Sequence, residues 1–278
     1  MTVAPEIRDD AFAFFRDFVH ARSAIVLSDE KRYLVETRLS PVARRAGLAG
    51  LDDLVRAMRA RRDPDLETAV LDAMTTNETS FFRDRTPFDA LRERVLPDRI
   101  AANAPRRRLA IWSAACSTGQ EPYSVAMLLD TAFPELGTWQ VDVLGTDIST
   151  TALARAREGR FSALEVDRGL PAPHLVTYFT RDGADFRLAD RLRSRVRFEP
   201  INLAQPWPHI ARKDVIMLRN VLIYFDAPTR LRILAGIRGR LRPGGYLLLG
   251  AAEATRDLVQ GFVPVQVAGT TVYKLEEV

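Results

Sequence analysis

Cysteine and histidine are scarce in this chain of 278 residues. Cys116 is the only cysteine, which excludes an intrachain disulfide and favours a reducing compartment. The histidines, at positions 20, 174 and 209, lack the spacing of metal ligands, so we expect no metal site. No apolar run reaches the roughly 18 residues that a membrane-spanning helix needs. Because the first residues also lack the plan of a secretory signal, we expect a cytoplasmic location.

Lysine is equally scarce and occurs only at Lys31, Lys213 and Lys274. Arginine therefore carries nearly all of the positive charge, and the formal net charge is +4. A guanidinium pairs with a carboxylate through two parallel hydrogen bonds, which favours acidic partners. For most of the individual arginines, an ordinary solvated surface is the better explanation.

The stretch IWSAACSTGQEPYSVAM, Ile111–Met127, combines an apolar run, a turn of small residues and a helix start. The run ends at Gly119, and Gln120-Glu121-Pro122 opens the helix, where proline is well tolerated. A strand, a small-residue turn and a helix N-terminus let the backbone approach a ligand closely. A second apolar strand ends in Asp147, at roughly the separation expected for a carboxylate that accepts ribose hydroxyls. This pattern predicts a nucleoside-cofactor site.

The turn is poor in glycine, since Ala114, Ala115 and Ser117 stand where G-x-G-x-x-G would place glycines. A dinucleotide site uses those glycines to expose backbone N–H groups to the pyrophosphate. S-adenosylmethionine (SAM) has no phosphate and makes a lighter demand on the turn. The turn by itself therefore favours SAM and leaves a dinucleotide open.

The first part of the chain, Asp10–Met74, predicts a compact helical module. Apolar residues recur at helical spacing, and Ser40-Pro41 is expected to mark a helix boundary. The predicted helices cover Ala11–Val19, Tyr33–Leu39, Leu51–Met58 and Leu66–Met74. The exposed faces are expected to be basic through Arg16, Arg22, Lys31, Arg32, Arg38, Arg44, Arg45, Arg56, Arg59, Arg61 and Arg62.

From Leu109 onward, apolar strands alternate with helices, which predicts an α/β fold with a doubly wound, mostly parallel sheet. Phe88–Ile100 is a predicted helix, and Ala101–Arg108 a predicted linker. We expect strands at Leu109–Ser113, Gln140–Gly145, Val196–Pro200, Val215–Arg219 and Gly245–Leu249. We expect helices at Pro122–Ala132, Thr150–Glu158 and Thr229–Leu241, and a terminal hairpin of Phe262–Val267 and Thr271–Leu275. Arg242–Gly245 is expected to be the turn that ends the last helix.

The interval between Gly159 and Arg195 is too long for a simple connection. Leu175–Phe179 and Phe186–Leu188, joined through Arg181–Gly183, predict a small antiparallel insert. The expected division is thus a helical domain at 1–75, a linker helix and connection at 76–108, and a cofactor-binding domain at 109–278 with a β insert at about 170–195.

Five blocks of the sequence together resemble the CheR-type chemotaxis receptor methyltransferases. They are TTNETSFFRD, AACSTGQEPYS, GTDIS, INL and RNVLIYFD, which occur in the family's order and span nearly the whole chain. The family often has Glu-Glu before Pro-Tyr, whereas this chain has Gln120-Glu121 and keeps the second acid. The resemblance implies a Rossmann-like SAM-dependent methyltransferase sheet with a small β insert, preceded by an all-helical domain.

The resemblance also implies roles for residues in the first two blocks. Asn77, Thr79 and Arg83 would contact SAM, and Arg83 would pair with a carboxylate of either the SAM tail or the incoming glutamate. The alternative for Arg83 is a surface salt bridge to Asp84 or a neighbour. Glu121 would face the cationic methionyl part of SAM, or else only cap its helix.

The remaining blocks imply the rest of the site. Asp147 would accept the ribose hydroxyls, or else cap the helix that follows it. Asn202 and Leu203 would flank the adenine, and Arg219 and Asn220 would lie at the carboxyl edge of the sheet where ligands gather. Tyr224 would orient the acceptor near the methyl group, or else belong to the core. Cys116 has no base nearby in sequence and is expected to be a small turn residue.

The function implied by the resemblance is SAM-dependent methylation of glutamate side chains on chemoreceptor helices, with S-adenosylhomocysteine as the product. A glutamate carboxylate is already ionised at neutral pH, so no general base is needed. The expected partners are cytoplasmic receptor helices and, at the β insert, a receptor C-terminal peptide that adds as a strand. Neither nucleic acid nor direct membrane insertion is expected.

Two alternatives remain open at the level of sequence. A nucleic-acid methyltransferase would fit the isoelectric point near 9.5, although the catalytic Pro-Cys and Asn-Pro-Pro-Tyr patterns are absent from the sequence. A non-catalytic SAM-sensing adaptor of the same fold would fit the chain, although the family's site residues are intact.

Overall fold

A computed structural model describes residues 7–60, 63–253 and 261–276. The chain divides into two units. The first comprises Met1–Thr76, Asn202–Pro206 and Tyr224–Thr229, and the second comprises Asn77–Ile201, Trp207–Ile223 and Arg230–Val278. The expected division at residues 75 and 108 stays a prediction, because the first unit also takes in two later segments. No helix within the described ranges is long and apolar enough to cross a membrane.

Four α-helices of the described chain lie wholly within the first unit, as the apolar spacing predicts. They are α1 (Asp9–Ser23), α2 (Arg32–Arg45), α3 (Leu51–Ala60) and α4 (Pro64–Met74). Each helix buries one apolar face, and Phe15, Leu39, Leu54 and Val70 are fully enclosed in the common core. Arg61 and Arg62 of the predicted basic surface lie outside the described residues.

The boundary predicted at Ser40-Pro41 is wrong, because α2 continues through Pro41 to Arg45. Proline has no N–H to donate to the carbonyl one turn earlier, and its ring crowds that carbonyl. The helix nevertheless continues because Leu39, Val42 and Ala43 are all buried in the core of this unit. Burial of that face outweighs the local penalty at Pro41.

The second unit begins with a helical segment that leads into the sheet. It consists of α5 (Thr86–Ala90), a π-helical turn (Leu91–Val95) and α6 (Leu96–Asn103). The helix predicted at Phe88–Ile100 is therefore confirmed and is longer at both ends. The predicted linker is short, because α6 covers its first three residues and the first strand begins at Arg108.

The alternation predicted beyond Leu109 is confirmed. The strands are β1 (Arg108–Ala114), β2 (Gln140–Asp147), β3 (Arg160–Ser162), β4 (Phe179–Asp182), β5 (Asp185–Leu188), β6 (Val196–Pro200), β7 (Lys213–Leu218), β8 (Leu241–Leu249), β9 (Phe262–Val267) and β10 (Thr270–Leu275). The helices are α7 (Gln120–Ala132), α8 (Thr150–Glu158), α9 (Ala163–Asp167), α10 (Ala172–Tyr178), α11 (Asp190–Arg193) and α12 (Ala227–Arg240).

A seven-stranded sheet of the described residues has the order β6-β2-β1-β7-β8-β10-β9. The first five strands are mutually parallel, and β10 runs antiparallel to both β8 and β9. The expected turn at Arg242–Gly245 lies inside β8 as an irregular stretch, because the register shifts between the pairs Lys213–Leu241 and Val215–Tyr246. The predicted mostly parallel, doubly wound sheet is confirmed.

The insert is a three-stranded antiparallel sheet with the order β3-β5-β4. The strand predicted at Leu175–Phe179 is wrong, because α10 extends to Tyr178 and β4 begins only at Phe179. A short apolar run does not distinguish helix from strand by its period. Pro173, in the first turn, favours the helix, since its φ angle is already helical.

Proline at two positions of the first unit allows a direct test of the α2 interpretation. We expect Pro41→Ala to stabilise the protein by about 1–2 kcal/mol, because a helix-interior hydrogen bond is restored. Pro64→Ala is the matched control and is expected to bring no gain, because Pro64 lies at the start of α4, where N–H groups have no helical acceptor. Urea unfolding of both variants measures the difference. Equal effects at the two sites would contradict the interpretation.

Candidate functional site

The strand order reverses at β1, which pairs with β2 on one side and with β7 on the other. Ala114 lies opposite Thr146 of β2 and opposite Leu218 of β7, so the carboxyl ends of the three strands are adjacent. In open α/β sheets the ligand crevice lies at such a switch point. Asp147 ends β2 and Arg219 follows β7, which places two of the predicted site residues at this edge.

The turn after β1 adopts left-handed backbone at residues that are not glycine. The φ angles are 61° at Ala115 and 51° at Ser117, and the glycine of the same turn, Gly119, has a φ angle of 94°. Each non-glycine residue in this region costs about 1–3 kcal/mol, so the surroundings must hold it there. The Cys116 amide donates to the Thr146 carbonyl (2.8 Å), and the Ser117 hydroxyl donates to the Asn77 carbonyl (2.9 Å). These hydrogen bonds hold the turn in a conformation that glycine would adopt without strain.

Asp147 is held by two backbone amides. Its Oδ2 accepts from the Ser117 N–H (2.8 Å) and its Oδ1 from the Ser149 N–H (2.9 Å), and the residue is only 6% exposed. The N-cap of α8 is Ser149, whose side chain accepts from the Ala152 amide. The contact of Asp147 with the ribose of SAM stays a prediction.

Glu121 lies in the first turn of α7 and is fixed by two side chains. Ser113 donates to its Oε1 (2.7 Å), and Arg219 donates to its Oε2 (2.8 Å). These two partners fix the orientation of the carboxylate, so Glu121 does more than cap its helix. At the positive end of the helix dipole, the carboxylate fits a cationic ligand group that approaches its remaining lone pairs.

Arg219 connects Glu121 to the segment that carries Arg83. Its guanidinium donates to the Asp84 carboxylate (2.8 Å) and to the Arg83 carbonyl (2.9 Å), and its side chain is 1% exposed. Most of its donors are therefore committed to protein groups. The geometry supports a positioning role for Arg219, whereas its direct contact with the cofactor stays a prediction.

Two phenylalanines anchor the segment TNETSFFRD. The Phe81 ring is fully buried and packs edge-on against Phe161 (5.0 Å) and Phe179 (5.7 Å). The Phe82 amide donates to the Ser124 hydroxyl of α7 (2.9 Å). The residue that follows, Arg83, remains partly exposed, so the segment presents this side chain from a rigid base.

The Arg83 guanidinium donates to the backbone carbonyl of Glu78 (2.9 Å). The alternative, a surface salt bridge to Asp84 or a neighbour, is wrong, because no carboxylate of the described residues lies within 4.0 Å of the Arg83 guanidinium and Asp84 pairs with Arg219. Arg168 donates to the Glu78 carboxylate (2.7 Å), and together with the charge of Arg83 this holds the pKa of Glu78 below its usual value. Asn77 and Thr79 lie on either side of Glu78, and their contacts with SAM stay predictions.

Cys116 is a buried turn residue and not a nucleophile. Burial, followed by the charges of Asp147 and Glu121, raises the pKa of its thiol well above the usual value. The thiol is therefore protonated at neutral pH and unreactive. A Cβ at Gly145 would lie 3.1 Å from its sulfur and 2.8 Å from the Phe198 ring, so this part of the site depends on close packing.

Three predicted residues belong to the first unit. The Asn202 amide donates to the Arg22 carbonyl (2.6 Å), and its Oδ1 accepts from the Ala204 amide (3.0 Å). Leu203 is buried, and the Tyr224 carbonyl accepts from the Val26 amide (2.9 Å). Tyr224 is partly exposed and is therefore not a core residue. The adenine contacts and the acceptor role stay predictions.

Three residues that organise the site are not among the predicted site residues: Ser113, Asp84 and Glu253. Asp84 was visible only as a possible partner of its neighbour Arg83. Glu253 accepts from the backbone amide of Asn220 (2.7 Å). One signal points to Glu253: it is an acid close to the carboxyl end of an apolar strand, as Asp147 is.

The residues at this edge of the sheet fit SAM. A buried carboxylate, Asp147, ends β2, a second carboxylate, Glu121, lies at the positive end of the α7 dipole, and the glycine-poor turn makes no provision for phosphate. Sheet and site together define a SAM-dependent methyltransferase. Residues 77–269 match the family described as CheR methyltransferase, SAM binding domain, and residues 10–75 match CheR methyltransferase, all-alpha domain. The chain belongs to the CheR methyltransferase family.

The chain is similar to chemotaxis protein methyltransferases over nearly its whole length. The chain is 41% identical to chemotaxis protein methyltransferase 1 of Pseudomonas aeruginosa, covering 95% of this chain and 97% of the relative. It is also 41% identical to a chemotaxis protein methyltransferase of Vibrio parahaemolyticus, covering 97% and 98%. The predicted family, cofactor and chemotaxis function are confirmed at this level.

The ribose assignment of Asp147 is tested by calorimetric titration with SAM. We expect Asp147→Ala to weaken SAM binding at least about tenfold, because charged hydrogen-bond acceptors are lost. Ser149→Ala is the matched control: it removes the cap of α8 but keeps Asp147, and is expected to leave the affinity unchanged. An unchanged dissociation constant in Asp147→Ala would refute the assignment.

Proposed function

We propose that this protein transfers the methyl group of SAM to glutamate side chains on chemoreceptor helices and so forms methyl esters. The observation that carries the proposal is the state of Arg83. Its guanidinium is partly exposed and donates to a backbone carbonyl, and no carboxylate of the described residues lies within 4.0 Å of it. This charge is available for an acidic acceptor.

The chemistry of the site agrees with a carboxylate acceptor. When bound, SAM supplies a methyl group on a sulfonium that leaves as a neutral thioether. A glutamate carboxylate, with an ordinary pKa of about 4.3, is ionised at neutral pH and needs no base. Cys116 offers none, because its thiol is buried and protonated. The task of the protein is to align the acceptor and exclude water.

Each site residue then has a distinct task. Arg83 orients the acceptor carboxylate or the carboxylate of the cofactor tail, Glu121 faces the cationic part of SAM, and Asp147 holds the ribose. Arg219 positions Glu121 and the Arg83 backbone. Tyr224 orients the acceptor, and this assignment rests on the family resemblance.

The partner we propose is an acidic surface of a receptor helix bundle, read by the arginines of the first unit. Arg44 and Arg45 are exposed in the last turn of α2, and no carboxylate of the described residues lies within 4.0 Å of either. By contrast, Arg22 pairs with Glu67 and Arg56 with Asp53. The guanidinium groups of Arg44 and Arg45 are therefore the ones available to a partner.

A receptor C-terminal peptide is the second proposed contact. In the three-stranded insert, β5 is central and β3 and β4 each have one neighbour. An edge strand presents unpaired backbone groups to which an extended peptide adds. The family resemblance supports this contact.

Methyl transfer from tritiated SAM to purified receptor cytoplasmic fragments tests the proposal. We expect label on the fragments that mild base releases as methanol, because hydroxide hydrolyses a carboxylic ester. Replacement of the acceptor glutamates by alanine is expected to abolish incorporation. Label that resists base would contradict glutamate esterification, and SAM binding without incorporation would favour the adaptor.

The role of Arg83 has its own test. We expect Arg83→Ala to lower turnover about 100-fold or more, as removal of one preorganised donor commonly does, while the thermal midpoint stays near that of the parent. Arg168→Ala is the matched control, because it removes an exposed arginine that contacts the same Glu78. It is expected to leave turnover within about twofold. Near-normal turnover in Arg83→Ala would refute the assigned role.

A further inference from the structure

The carboxylate of Glu253 accepts hydrogen bonds from four backbone amides. Three are consecutive and follow β7: Asn220 (2.7 Å), Val221 (2.7 Å) and Leu222 (2.6 Å). The fourth is Gly250 (2.8 Å), at the end of β8. Glu253 is 4% exposed, so these bonds form away from water, where an unpaired amide is costly.

The turn that Glu253 holds is strained at its first residue. Asn220 has a φ angle of 58°, in the left-handed region that asparagine enters more readily than most residues. This conformation points successive N–H groups toward one concave side, which is the geometry of a backbone anion site. In this protein the anion is the protein's own carboxylate.

Gly250 allows the carboxylate to come this close. A Cβ at Gly250 would lie 2.6 Å from Glu253 Oε2 and 2.9 Å from the Asn220 backbone nitrogen. The Glu253 amide also donates to the Gly250 carbonyl (2.9 Å), which closes the turn between the two residues. Glycine and glutamate three residues apart thus form one device beside the end of β7.

We propose that Glu253 is a positioning residue of the cofactor site: it holds the Asn220–Leu222 turn so that Asn220 meets SAM at the carboxyl end of β7. The inference rests on the proposed role of Asn220 as a cofactor ligand. Glu253 itself needs no contact with SAM. Its effect on binding passes through the backbone that it holds.

Asp214, in β7, is a buried carboxylate with a purely structural role and serves for comparison with Glu253. It is fully buried near the start of β7 and accepts from the Asn103 amide (2.9 Å), the Ala110 N–H (2.7 Å) and the Arg242 guanidinium (2.7 Å). It lies at the end of β7 opposite to Asn220. Asp214→Asn is therefore a control that disturbs a buried acceptor outside the site.

Calorimetric titration with SAM and urea unfolding measure binding and stability separately. We expect Glu253→Gln to weaken SAM binding about tenfold, because an amide group turns a donor toward backbone donors. Gly250→Ala is expected to weaken binding too, with the carboxylate still present, and it preserves the test if Glu253→Gln does not fold. Asp214→Asn is expected to lose stability while its SAM affinity stays within about twofold.

A double-mutant cycle with Asn220→Ala distinguishes positioning from general support. If Glu253 acts through Asn220, Glu253→Gln has little further effect on SAM affinity in the Asn220→Ala background. The same fold-change in both backgrounds, or a folded Glu253→Gln protein with unchanged affinity, would overturn the inference. No methyl acceptor takes part in these titrations, so failure of glutamate methylation would be seen separately.

Discussion

The site depends on the hydrogen bonds and ion pairs that the buried guanidinium of Arg219 makes. It joins the end of β7, the first turn of α7 and the segment that presents Arg83, through Glu121, Asp84 and the Arg83 carbonyl. Removing one partner of such a buried pair costs about 3–5 kcal/mol, because the remaining charge is left without compensation. One residue therefore fixes the relative positions of groups that lie far apart in the chain. The orientation proposed for the acceptor relies on this connection.

A second device appears at two strand ends. At the end of β2, Asp147 accepts from the amide of Ser117, and shortly after β8, Glu253 accepts from the amide of Asn220. Both amides belong to residues in the left-handed region that are not glycine. In each case a buried carboxylate accepts hydrogen bonds from amides of a strained turn, and these bonds offset the cost of the strained backbone. A site poor in glycine can thereby keep the tight turns that a nucleoside ligand needs.

Local signals predicted many elements closely. The helix Thr150–Glu158 and the strand Val196–Pro200 have their predicted bounds, because apolar period, caps and turn residues act over a few residues. The predictions at Pro41 and at Leu175–Phe179 were wrong for different reasons. Tertiary burial overrides the penalty at Pro41, and an apolar run of five residues carries too little period to separate helix from strand. The segments 202–206 and 224–229, which join the first unit, carry no local mark of doing so.

The sequence by itself determined the fold class, the family and the acid at the end of β2, because these follow from apolar periods and from blocks of contiguous residues. Only the tertiary structure decided which charges pair. Asp84 follows Arg83 directly but binds Arg219, more than a hundred residues further along the chain. Asp84 has a φ angle of 66°, and Phe81 of the same segment packs edge-on against Phe161. A pairing of this kind depends on the packing of remote segments, which no local pattern records.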